Sequence, residues 1–575
     1  MLKIKHNYFI SLLHAVVLTI AFQVMPYRQV CAGVTSDDLI KIELKERIEQ
    51  ETAKEKFRCR GELICGPSLV PLFYQRRGFL PAWSSDNRIS PQAASLIAEI
   101  QNAKSEGLRP DDYFLSEITA LMKKIEKEGD FEYRIHPKFR VDLDLLLTKA
   151  FMLYGSHMLA GRVNPETIHT DWTATIPEVD LVNVLQSALD SNHLQETFKE
   201  IEPRHPAYVG LKKYLAYYRK IAERIHRLPL LPKTNLQKGD KGPAVQYLRK
   251  RLIILGDLNA LNENQSSLFD EALEAAVLKY QKRNGLKQDG VVGPQTLSKL
   301  NTPIQKWIRQ IELNLERWRW LPRDLGERYL IVNIANFKLW VVQDSRPLME
   351  MRVVVGRSYR RTPVFSAKMT YMVINPYWNI PHRIAIRDVL PKIQKNSDYI
   401  DQQRIKVFRD WRNGAEEIDP KTIAWDKIGP HNFTYKLRQD PGASNSMGRI
   451  KFMLPNKFSV FLHDTPRHTL FQEANRLFSS GCIRIERPID LALYLLQNDP
   501  NWSREKLMKT IENGKPTVIW IQNPIIVYLQ YWTAWVDEFG ELNFRKDIYN
   551  RDEPLDRALK EGLPDLYHGD GADGN

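Results

Sequence analysis

The run HDTPRHTLFQEANRLFSSGCIRIERP, from His463 to Pro488, constrains this chain more than any other segment. The residues leading into it, KFSVFLHD, alternate so that Phe458, Val460 and Leu462 share one face of a strand while Ser459, Phe461 and His463 share the other. After Gly481 the alternation resumes, with Ile483 and Ile485 on one face and Cys482, Arg484 and Glu486 on the other. The spacing predicts two neighbouring strands that present an imidazole and a thiol to a common cleft. Gly481 lacks a Cβ, so a substrate backbone can approach closely, and the N–H groups from Ser480 to Cys482 are expected to form an oxyanion hole. Pro488, followed by Ile489, Leu491, Leu493, Leu495 and Leu496, predicts a helix with proline in its first turn.

A thiol transfers acyl groups as thiolate, and a nearby imidazole can lower its pKa from about 8.5 to roughly 3.5 to 7.5. A Cys/His acyl transferase is therefore the first expectation. Two plainer readings stand beside it. A lone cysteine serves elsewhere as a small buried hydrophobe, and a Cys/His set can hold zinc. Only Cys482, His463 and His468 lie close in sequence, without C-x-x-C or H-E-x-x-H spacing, so neither a metal nor a cofactor is expected.

At 575 residues, with 43% hydrophobic and 26% charged residues, the chain has material for three or four ordinary globular domains. Residues 1–32 read as an export signal: Lys3 and Lys5 precede an apolar stretch from Tyr8 to Met25, and Val30-Cys31-Ala32 resembles a small-residue cleavage site. Removal is the expected outcome and retention as an inner-membrane anchor the alternative; either gives a periplasmic or envelope location. Of four cysteines, Cys31 leaves with the signal and Cys59 and Cys65 sit close enough for a small disulfide loop, which leaves Cys482 as the free thiol. The net charge of +14 suits an anionic envelope surface. No nucleic-acid-binding signature accompanies it, and nucleic acid is not an expected partner.

Residues 35–230 alternate helical patterns with short polar loops and carry no assigned chemistry, and Pro229 and Pro232 mark a linker. In residues 233–302, Val245, Leu248 and Leu252 share a helical face with Gly256 as a stop, a second helix runs through Ala272, Ala276 and Tyr280, and a third follows Gly293-Pro294. Residues 328–523 are mostly strand-like, with strands around a turn at Asn336 and an interruption of polar and helical sequence at about 383–435. Residues 524–575 read as a C-terminal extension.

HDTP followed by SSGCIR resembles the active-site signature of the YkuD-fold L,D-transpeptidases, cysteine enzymes that cross-link peptidoglycan. Most members carry histidine where this chain has Ser480. The large YcbB-like branch carries serine there and takes its catalytic histidine from HDTP, and this sequence is similar to that branch. Ile311 to Pro322, Asn375 to Pro381, Pro441 to Asn456 and Tyr531 to Gly540 resemble further landmarks of the branch, Leu69 to Trp83 and Ser105 to Tyr113 its helical scaffold domain, and DGVVGPQTL the three-helix peptidoglycan-binding domain.

The resemblance implies a multidomain α+β chain: a mostly β YkuD-type catalytic domain with a lid-like capping insertion, preceded by a scaffold domain and a peptidoglycan-binding domain. It implies that Cys482 attacks the third residue of a donor tetrapeptide stem, that His463 acts as base and acid, and that a second stem resolves the thioester into a 3→3 cross-link. Arg484, Trp378 and Phe461 are the expected substrate-binding residues, with bracing of the site as the alternative for Arg484 and core packing as the alternative for the two aromatics; Asp464, Ser479 or a backbone carbonyl is expected to orient His463. Expected partners are donor and acceptor stem peptides, other wall synthases and, as covalent inhibitors, carbapenem β-lactams. Water as acceptor gives a carboxypeptidase or endopeptidase instead, and a wall-binding scaffold without catalysis is the rival from another class.

Overall fold

The computed structural model describes residues 36–57, 62–85, 88–128, 136–175, 178–225, 230–232, 235–259 and 266–561. The expected export signal lies outside them. So does Cys59; Cys65 is disulfide-bonded. Among the described residues no helix is long and apolar enough to cross a membrane.

The amino-terminal part is built around the helix Pro137–Ala160, which is buried on nearly every side. A helix apolar all round must be surrounded, and the helices Ser36–Ala53, Leu69–Arg76, Pro91–Asn102, Leu115–Glu128 and Leu181–Ser191 supply the shell. The central helix carries a buried carboxylate, Asp144, which accepts from the N–H groups of Ala82 and Trp83 at 2.8 and 2.9 Å and from the Tyr74 hydroxyl at 2.7 Å. This core ends at Ile201.

The helix Pro206–Arg224 belongs to a second core, shared with the three helices Pro243–Ile254, Glu271–Arg283 and Pro294–Leu300, the long helix Ile304–Arg319 and a carboxy-terminal hairpin, Ala534–Val536 with Leu542–Phe544. Val245, Leu248 and Leu252 are fully buried there, and Gly256 follows the first helix with φ +80. The second helix buries Ala276 and Tyr280 of the expected set, together with Leu273 and Val277, and leaves Ala272 exposed. Leu273 and Val277 offer more apolar area than an alanine, and that area sets the rotation of the helix. Trp318 of the long helix stacks on Trp532 at 4.4 Å between ring centroids, which ties this core to the segment that follows the strand Thr517–Gln530 of the catalytic region.

That region is a nine-stranded sheet: β1 (Arg328–Asn333), β2 (Lys338–Gln343), β3 (Arg346–Gly356), β4 (Phe365–Ile374), β5 (Ile450–Met453), β6 (Leu462–His463), β7 (Leu477–Ser479), β8 (Ile483–Ile485) and β9 (Thr517–Gln530). Their spatial order is β7-β3-β8-β6-β5-β4-β9-β1-β2, and β2 also pairs with β3, so the sheet closes on itself and leaves few free edges. The interior is filled by alternate residues, among them Leu330, Val332, Val353, Met372, Ile374, Ile450, Phe452, Leu462, Ile483 and Ile485. The 523 boundary expected from the sequence falls inside β9. That strand runs continuously to Gln530 because a register shift between Trp520 and Ile525 takes up Pro524, which cannot donate to the ladder.

Between β4 and β5 the chain leaves the barrel to form a lobe with its own four-stranded sheet, Trp378–Ile380, Lys436–Gln439, Ile405–Phe408 and Glu417–Ile418 in spatial order, and its own core of Ile380, Leu390, Ile393, Val407 and Leu437. The lobe is thus partly β where polar and helical sequence was expected, because its strands are too short to show an alternation.

Candidate active site

Strands β6 and β8 are hydrogen-bonded neighbours that run parallel, with Leu462 opposite Ile483 and His463 opposite Arg484. The Ile483 N–H donates to the Phe461 carbonyl at 3.1 Å, which extends the register to Cys482 and Phe461. Leu462, Ile483 and Ile485 point into the barrel, so period-two alternation sends Phe461, His463, Cys482 and Arg484 to one outer face. Strand β5 adds a residue to this face that the sequence did not single out. It is antiparallel to β6 with Lys451 opposite His463, and Lys451 alternates with the buried Ile450 and Phe452.

The imidazole of His463 is 2% exposed, and its Nδ1 lies 2.5 Å from the carbonyl oxygen of Asp464. A carbonyl only accepts, so Nδ1 carries the proton in this bond, and a backbone hydrogen bond with Met447 also acts on the ring. Burial, helped by the nearby Arg484 and Lys451 charges, pushes the imidazole pKa down to about 3. Burial likewise pushes the Cys482 thiol up, against a lowering by a backbone hydrogen bond from Phe461 and by Lys451 and Arg484. The lowered thiol pKa expected from a neighbouring imidazole is not found: desolvation disfavours both charged forms, and the resting pair is neutral.

Hydrogen bonds pin the nucleophile loop. Ser479 Oγ donates to the Cys482 carbonyl at 2.5 Å and accepts from the Gly481 N–H at 3.1 Å. Thr362 Oγ1 donates to the Gly481 carbonyl at 2.8 Å and accepts from the Gly356 N–H at 2.9 Å, while the Tyr549 hydroxyl donates to the Gly356 carbonyl at 2.5 Å. Gly481 has φ +122, a conformation that disfavours side chains. Its N–H is occupied by Ser479, which removes it from the expected oxyanion donors. Ser480, at the position of the expected family difference, accepts from Arg360 at 2.9 Å; Arg360 pairs in turn with Asp388 of the inserted lobe.

Asp464 and Ser479, two candidates for orienting His463, act elsewhere with their side chains. The Asp464 carboxylate accepts from the Arg449 N–H at 2.8 Å, and Ser479 holds the loop. Glu486 pairs with Arg352. Phe461 lies beside His463, with ring centroids 5.6 Å apart. Trp378 belongs to the lobe and packs against the lobe core. Among the described residues no group of three or more His, Cys, Asp or Glu side chains could hold a metal ion.

The closed sheet thus brings a thiol and an imidazole to one outer face, the thiol just ahead of its strand. Three domain families match this chain: the L,D-transpeptidase catalytic domain of the YkuD family over residues 327–519, the scaffold domain over 68–215 and a "Putative peptidoglycan binding domain" over 241–300. The chain therefore carries a YkuD L,D-transpeptidase catalytic domain together with a scaffold domain and a peptidoglycan-binding domain. A Haemophilus influenzae protein named "Putative L,D-transpeptidase" is 34% identical over 250 residues, which make up 44% of this chain and 49% of that protein. The chain thus spans about half the length of this curated relative. Two solved structures are also similar. An L,D-transpeptidase fragment from Xylanimonas cellulosilytica is 16% identical, covering 52% of this chain and 100% of its own, with a TM-score of 0.16. The Ldtfm-avibactam carbamoyl enzyme is 12% identical, covering 56% and 98%, also with a TM-score of 0.16. At such TM-scores neither structure contributes to the account of this chain.

Proposed function

We propose that the protein is an L,D-transpeptidase of the cell wall or periplasm that forms 3→3 peptidoglycan cross-links through a Cys482 acyl-enzyme. The observation that carries this reading is the placement of His463 and Cys482 on one outer face of two paired parallel strands, inside the matched catalytic domain. The peptidoglycan-binding domain match favours wall substrates.

The chemistry follows from the neutral resting pair. As the sulfur of Cys482 attacks the carbonyl of the third stem residue, its proton passes to the imidazole of His463, so no standing thiolate is needed. The oxyanion is assigned to the N–H groups of Ser480 and Cys482, with the Gly481 N–H excluded by its bond to Ser479. Collapse breaks the C–N bond, the imidazolium returns its proton to the departing D-alanine amine, and a thioester remains. The acceptor amine then attacks, gives its proton to His463, and the C–S bond breaks as the proton returns to sulfur. No electrons are exchanged with an outside donor or acceptor.

Intact-mass measurement after exposure to a carbapenem tests the acyl-enzyme. The wild type gains the mass of the opened lactam and Cys482→Ala gains nothing; an adduct on both, or on neither, contradicts the reading.

A further inference from the structure

We propose that Lys451 and Arg484 form a carboxylate clamp that holds the terminal carboxylate of the donor stem, a specificity site that rests on the L,D-transpeptidase reading and adds a substrate requirement to it. The two residues flank the imidazole: Lys451 stands opposite His463 on β5 and Arg484 opposite it on β8. Across the antiparallel pair, Lys451 and His463 bring their Cβ atoms to within about 4.5 to 5.5 Å. Both alternate with core residues, so both leave the barrel on the face that carries Cys482.

Neither cation has a carboxylate partner among the described residues. The nearby carboxylates are committed elsewhere: Asp464 to Arg449, Glu486 to Arg352 and Asp388 to Arg360. The Lys451 ammonium sits 3.9 Å from the centroid of the Phe461 ring, which fixes its position, and the Arg484 Nε is buried without an acceptor. Half-buried cations without counter-ions are unfavourable in the resting protein and become favourable when an anion arrives. Arg357 and Arg467, also without carboxylate partners among the described residues, add to the positive field at Arg484.

Geometry selects the anion. With the third-residue carbonyl at Cys482, the fourth residue lies one Cα step, about 3.8 Å, further along. Its free carboxylate then falls within reach of long side chains on the same face. The stem's own carboxy terminus, rather than a carboxylate on a second chain, is the group the clamp reads.

The test compares a disaccharide tetrapeptide donor with its terminal carboxamide on the full chain, as wild type, Lys451→Gln, Lys451→Arg and Arg484→Gln. The wild type is expected to favour the acid over the amide in kcat/KM by about tenfold to a hundredfold, the range of a charged hydrogen bond. Lys451→Gln and Arg484→Gln narrow that ratio through a higher KM for the acid, and Lys451→Arg restores it. A wild type that does not discriminate, or a Lys451→Gln protein that keeps the wild-type ratio, overturns the clamp. If the wild type turns over neither donor, the transpeptidase reading fails. Calorimetric binding of the acid and amide peptides to Cys482→Ala, with and without Lys451→Gln, then decides the clamp by the same ratio.

Discussion

The Nδ1 of His463 and the carbonyl oxygen of Asp464, its own neighbour in the chain, lie 2.5 Å apart. The ring is therefore oriented by backbone, and the Asp464 carboxylate serves the Arg449 N–H instead. Replacing a carboxylate that orients a catalytic histidine costs about 10⁴ in rate. Asp464→Asn is predicted to stay within about tenfold of wild-type kcat, because the orienting acceptor survives and only a charged hydrogen bond is weakened. Steady-state kinetics of the variant check this.

Gly448 is the close neighbour of that carboxylate. It has φ +62, and a Cβ there would lie 2.5 Å from the Asp464 Cβ and Cγ. Gly448→Ala is predicted to destabilise the protein by about 2 kcal/mol or more through strain and displacement of a buried carboxylate. Chemical denaturation measures it, and an unchanged midpoint contradicts the packing described.

Ser479→Ala removes an acceptor from the Gly481 N–H and a donor from the Cys482 carbonyl. The predicted loss of stability is about 1 to 3 kcal/mol, the usual cost of leaving buried partners unmet. The rate should fall further than the melting temperature implies, because the freed Gly481 N–H lets the nucleophile loop rearrange.

Burial holds His463 at about 3 and His169 and His205 at about 4, from an ordinary 6.5. Each is a base whose folded pKa is depressed, so its share of stability is fully present above pH 6.5 and is lost as pH falls from 6.5 towards the folded value. At pH 5 that loss is about 2 kcal/mol for each histidine. Melting temperatures at pH 7.5 and pH 5 should differ accordingly, and His205→Gln should shrink the difference.

Much of the site was legible because alternation fixes faces. Leu462 beside His463 and Ile483 beside Cys482 determine, without any structure, which side chains leave the barrel. Lys451 was not legible. On a four-residue strand a lysine reads as an ordinary solvent residue, and only the register with β6 brings it beside His463. Thr362 and Tyr549 were hidden for a related reason: they reach the nucleophile loop and Gly356 across 119 and 193 residues, and no local pattern encodes such a contact. The second helix of the peptidoglycan-binding domain shows the converse difficulty, since Ala272 fitted the same helical period as Ala276 and Tyr280 yet is exposed, while the larger Leu273 and Val277 are buried.

The most direct measurement is mass spectrometry of products formed from disaccharide tetrapeptide by the wild type and by Cys482→Ala. The account predicts 3→3-linked dimers and released D-alanine from the wild type and neither from the variant. Dimers from both proteins, or from the wild type only tripeptide monomers in the presence of excess acceptor, would contradict it.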